Sequence, residues 1–75
     1  MNIKIQNQIF WINARGRVFA EDFNVFQRGG IPALEKVADY LEIPIPELKR
    51  RTQAGKLRSD DFFDALSIEV DPHED

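Results

Sequence analysis

The chain has 75 residues, a net charge of −3, 43% apolar residues and no cysteine. That is the size of one small domain with a modest core, and it excludes a disulfide framework and a thiolate metal site. No apolar run approaches the roughly 20 residues of a membrane span, and the first residues lack the apolar stretch of a secretory signal.

Ile5, Ile9 and Ile12 recur at i, i+4, i+7, which predicts a first helix over 3–14. Ile3 and Ile5 also alternate with polar neighbours, as in a short strand. Phe10 and Trp11 favour the helix by widening its apolar face, and Gly16 supplies a stop. Phe10, Trp11 and Ile12 are consecutive, so they cannot all face one way. One of them is expected at the surface, and Trp11 is the candidate for a partner contact. A second helix is predicted over 20–28, with Phe23 and Phe26 three apart and Gly29-Gly30 ending it.

Leu34, Val37, Ala38 and Leu41 predict a third helix, with Pro32 in its first turn. Ile43-Pro44-Ile45-Pro46 then forbids helical continuation, and at least one of the two isoleucines is expected to plug the core. A fourth helix is expected over 46–54, anchored by Leu48 and stopped by Gly55. Ser59 should cap a fifth, which buries Phe62, Phe63, Ala65 and Leu66. The last residues, 71–75, read as a disordered acidic tail beyond a single domain over 1–70.

One phrase occurs twice. Ala14-Arg15-Gly16-Arg17-Val18, then Glu21-Asp22-Phe23, returns as Ala54-Gly55-Lys56-Leu57, then Asp60-Asp61-Phe62. Glycine meets glycine, cation meets cation, aliphatic meets aliphatic, and an acidic pair precedes a phenylalanine both times. A glycine past a helix end takes the left-handed conformation, the aliphatic returns to the core, and carboxylates suit the next helix start. The phrase therefore predicts two similar helix–Gly elbow–helix units within an all-α array of about five short helices.

Candidate chemistry is sparse. His73 is the single histidine and lies in the charged tail, so no metal cluster or catalytic triad assembles around it. The acidic pairs recur at two helix starts and so read as capping groups. Neither Gly29-Gly30 nor Gly55-Lys56 has the spacing of a phosphate loop. No catalytic, cofactor or metal residue is assigned. Lys49, Arg50, Arg51, Lys56 and Arg58 form a block without an acid, while 59–75 holds seven acids and neither Lys nor Arg. This arrangement is explained by helix-end complementarity, or by a patch for an acidic partner or phosphates. Residues 33–58 also have the order and spacing of a helix-turn-helix, which makes duplex DNA the alternative partner. Against it stand the net negative charge and Pro46-Glu47 at the start of the would-be recognition helix.

The stretch 14–66 resembles the tape measure domain of phage tail length tape measure proteins. Three blocks carry the resemblance. The first is the first copy of the repeated phrase. The second is Arg28-Gly29-Gly30-Ile31-Pro32-Ala33-Leu34 running into Leu41-Glu42-Ile43. The third is Glu47-Leu48-Lys49 followed by the second copy and Ala65-Leu66. The chain departs from the family pattern at Glu42, where a glycine is common, and at Pro44-Ile45-Pro46. The resemblance implies a non-enzymatic module of tail assembly in a phage or prophage. Its expected partners are the tail tube, assembly chaperones or a second copy, in the bacterial host cytoplasm and then in the virion. It also implies a fragment or remnant of a longer protein: even as one unbroken helix, 75 residues reach only about 110 Å.

Overall fold

The computed structural model describes residues 3–68. The acidic tail expected over 71–75, and His73 within it, lie outside the described residues. Five helices follow in order: α1 (Ile3–Arg15), α2 (Ala20–Arg28), α3 (Ala33–Leu41), α4 (Ile45–Gln53) and α5 (Ser59–Ala65). The all-α array read from the sequence is the fold, and no strand occurs among the described residues. Ile3 and Ile5 lie in helix, so the strand alternative is set aside. Helix α2 has the expected bounds, α1 runs one residue further, and α4 sits one residue earlier.

Helix ends explain why the chain turns where it does. α2, α3, α4 and α5 all end on the same pair of backbone bonds. The residue at the turn donates its N–H to the carbonyl three back, and the next residue donates to the carbonyl five back. Gly30 and Ile31, Glu42 and Ile43, Gly55 and Lys56, and Ser67 and Ile68 do this with lengths of 2.9–3.2 Å. The turn residue is left-handed each time, with φ of 89°, 57°, 70° and 56°. Such a motif satisfies carbonyls that the helix leaves open. Three of the four following residues are isoleucines, and Ile31, Ile43 and Ile68 all pack against the core. Both Ile43 and Ile45 contribute there, where at least one was expected.

Glu42 takes a backbone conformation that costs an L-residue about 1–2 kcal/mol. Glu42→Gly is therefore expected to stabilise the domain by about 0.5–1 kcal/mol, after allowing for the freer unfolded chain. Gly55→Ala, which forces the same strain, should destabilise it by about 1 kcal/mol. Urea midpoints of the two variants check both signs.

The repeated phrase folds as two similar elbows with different bonding. Gly16 and Gly55 have φ of 78° and 70°, and the aliphatics that follow, Val18 and Leu57, are buried. Gly16, however, ends α1 with a single bond to the Ile12 carbonyl at 2.9 Å. The elbows also pair with each other. Val18 N–H donates to the Leu57 carbonyl at 3.0 Å, and Ser59 N–H donates to the Gly16 carbonyl at 3.1 Å. These bonds flank an antiparallel bridge between Arg17 and Arg58. Ser59 is a correction to the sequence reading. It is the first residue of α5, follows the cap position at Arg58 and makes no side-chain capping bond. Its N–H is engaged across the bridge instead.

Behind the elbows lies the core. Phe62 of α5 meets Phe23, Phe26 and Phe63 edge-on, with ring centroids at 5.3, 5.0 and 5.9 Å. Ile5, Ile12, Val37, Leu48 and Leu57 close around this cluster. Every helix gives at least one buried side chain to it.

Candidate functional site

Helix α1 has two apolar sides. Ile5 and Ile12 are buried and Ile9 is half-buried. At 3.6 residues per turn, Ile3, Asn7, Phe10 and Ala14 line the opposite side, spaced four, three and four apart, with Trp11 beside them. All five are exposed, with Ile3 at 71%, Phe10 at 64% and Trp11 at 58%. The ring centroids of Phe10 and Trp11 lie 5.3 Å apart, nearly perpendicular. This corrects the expectation that Phe10 and Trp11 widen the buried face. Ile12 alone of the three consecutive apolar residues turns inward, because at i+7 from Ile5 and i+3 from Ile9 it shares their side of the helix. Trp11 is at the surface, where the sequence placed its candidate.

The five basic residues of the block divide three ways: Arg50 and Arg51, Lys56 and Arg58, and Lys49 by itself. Glu47 of α4 accepts from Arg51 Nε at 3.3 Å and also pairs with Arg50. The Arg51 and Arg50 hydrogen bonds hold the Glu47 carboxyl below its ordinary value of 4.5. Its folded pKa is thus below its unfolded one. The small stabilisation it gives is present above pH 4.5 and is lost as pH falls through the folded pKa. Glu47→Gln should accordingly flatten the acid limb of the stability curve, as read by helix signal against pH.

Lys56 and Arg58 lie at the elbow, where Lys56 also lines a hollow with Glu47, Arg50 and Arg51, and they are joined there by a residue that the sequence block did not contain. The bridge sets Arg17 opposite Arg58. The Arg17 guanidinium also reaches over Gly55, where an added methyl would lie 3.8 Å from Nη1. Arg17, Lys56 and Arg58 are exposed and make no ion pair among the described residues. Only the fold could bring Arg17 here, since it lies in the other copy of the phrase. Lys49 stands apart from this set. It lines a cleft of about 250 Å³ between α2, α3 and α4 with Phe23, Leu34 and Thr52.

One polar cluster was legible only as a cap. Asp22 is buried, and its carboxylate accepts from Arg15 Nη2 at 2.7 Å, from the Phe19 N–H at 2.7 Å and from the Gln8 amide. The Phe19 bond is the expected capping contact, made three residues back. The other two tie α1 to α2. Arg15 also lies 5.0 Å from the Phe19 ring centroid. Asp61, the counterpart of Asp22 in the second copy, is only half-buried.

The helix-turn-helix elements are present as packed elements. Val37, Ala38 and Leu48 are buried and Ile43 is half-buried, as the motif places its inward residues. Pro46 and Glu47 occupy the first turn of α4, the end such a motif presents to bases. No group of three or more His, Cys, Asp or Glu side chains with metal-binding geometry occurs among the described residues. None of the described helices is long and apolar enough to cross a membrane. The chain matches no protein-family model, no curated protein and no solved structure.

Proposed function

We propose that this chain is a non-enzymatic structural module of a bacteriophage or prophage tail tape measure protein, serving as a docking or folding unit in tail assembly. The observation that carries the reading is the position of the family-like blocks. Gly16, Gly30 and Gly55 all sit at left-handed helix ends, and the elbow bridge joins the first block to the third. The residues that carry the resemblance are thus the ones that set the path of the chain. A module of this kind works by presenting a surface to other tail proteins, in the host cytoplasm during assembly and then in the tail.

The test is association with particles. Prophages of the bacterium carrying the gene are induced, tail-bearing particles are purified, and their peptides are sequenced. Peptides of this chain are expected in the tail fraction. Their absence from particles that do contain tube protein would overturn the assignment. The DNA-binding alternative is separated by titrating duplex DNA at two salt concentrations. With a net charge of −3 and Pro46-Glu47 at the start of α4, only weak binding is expected. Tight binding that drops by ~10³-fold between 50 and 200 mM salt would favour the alternative.

A further inference from the structure

We propose that the cleft between α2, α3 and α4 binds a small apolar carboxylate, an acid whose ring or branched chain fills the space beside Phe23 and Leu34 and whose carboxylate meets Lys49. These three helices alone build the site, and its chemistry does not depend on the tail assignment.

Three observations carry it. The first is size. The cleft holds about 250 Å³, below the roughly 300–1,000 Å³ of pockets for drug-sized ligands. A single ring or branched chain with a short acidic arm is the body that fits. The second is a wall that exists before any ligand arrives. Phe23 is buried and Leu34 half-buried, and both pack in the core. A preformed apolar wall lowers the ordering cost of binding.

The third observation is the polar rim, and it decides the kind of ligand. Lys49 is the one charged residue that lines the cleft, with the amides of Asn24 and Gln53 beside it. None of these three side chains has a hydrogen bond or ion pair among the described residues. All three can donate to an anion. The acids of the same helices are Glu21, Asp22, Glu35, Asp39 and Glu47. None of them lines the cleft. Asp22 and Glu47 are already paired with arginines, and Arg28 and Lys36 offset two of the other three in net charge. Lys49 therefore gives the cleft its sign. The neighbouring hollow, with Arg50, Arg51 and Lys56, differs in this respect, because Glu47 already supplies a carboxylate to its arginines.

The probes are 3-phenylpropanoate and its uncharged isostere 3-phenylpropanamide, titrated into the full chain and followed by backbone amide NMR shifts. The acid is expected to shift the amides of Ala20, Asn24, Leu34, Lys49 and Gln53 and to leave α1 unmoved. Its Kd should be on the order of 1 mM, as suits so small a ligand. The amide should bind at least threefold more weakly, the scale of one exposed charge pair. Lys49→Met should weaken the acid by the same factor. Lys36→Met removes a cation that does not line the cleft and should change nothing. Ala20→Leu narrows the cleft and should weaken both probes tenfold. All three positions are exposed, and circular dichroism verifies that each variant is folded. Equal affinity for acid and amide would overturn the proposal, as would unchanged affinity in Lys49→Met or shifts centred on another helix. A tripeptide ending in phenylalanine that binds tenfold more tightly than the free acid, at the same amides, would assign the cleft to a chain terminus instead.

Discussion

Phe62→Ala is expected to leave the domain largely unfolded. Phe62 is fully buried and meets three other phenylalanine rings edge-on at 5.0–5.9 Å. Those rings come from α2 and α5, so the truncation opens a cavity where these two helices meet. Removing a buried Phe typically costs about 3–5 kcal/mol. A domain of this length holds only about 4–11 kcal/mol in all. The loss should appear as a collapse of helix signal at 25 °C, or as a fall in Tm of about 15 °C or more. Phe62→Leu keeps most of the volume but loses three ring pairs, each worth about 0.5–1.5 kcal/mol, so a loss of about 2 kcal/mol is expected. A cost below about 1 kcal/mol for Phe62→Ala would show that the core is centred elsewhere.

The second large effect belongs to Asp22. Asp22→Ala removes the shared acceptor of Arg15, Gln8 and the Phe19 N–H. Arg15 is partly exposed and regains water, so its charge is not stranded. The Phe19 N–H and the Gln8 amide lose their partner within a half-buried site, at about 1–3 kcal/mol for donors left unsatisfied. A total of about 2–3 kcal/mol is expected in urea unfolding. A double-mutant cycle with Arg15→Ala should give a coupling of about 1 kcal/mol or more. Asp61→Ala, at the matching place in the second copy, should cost only about 0.5 kcal/mol, the ordinary worth of a carboxylate at a helix start. Equal costs at the two positions would mean that Asp22 acts only as a cap.

The contrast between Asp22 and Asp61 marks where sequence reading stops. Helix positions were legible because glycine, proline and apolar spacing are local signals, and α2 needed no adjustment. The inward turn of Val18 and Leu57 was legible from their place after a glycine. What local signals cannot carry is which of two like segments receives a buried partner. Gln8 and Arg15 reach Asp22 because α1 packs on α2, and nothing in the phrase Glu21-Asp22-Phe23 announces it. The outward placement of Phe10 escaped for a related reason, since spacing alone assigns a helix two apolar sides without ranking them. Arg17 escaped the basic block because its neighbours Lys56 and Arg58 lie in the other elbow. The left-handed Glu42 was legible only as a departure from a glycine-bearing pattern, and its φ of 57° turns that departure into strain.

The bond pair between the elbows joins residues about forty positions apart. Closing a loop of that length costs roughly 3 kcal/mol of chain freedom, which the short helices cannot repay singly, because none is long enough to persist alone in water. The elbow pair is thus among the distant contacts of a domain whose contacts are mostly local, and in all-helical domains local contacts ordinarily set a fast rate. A nick after Gly30 would place the two sides of this pairing on separate pieces, one bearing Gly16 and the other Ser59.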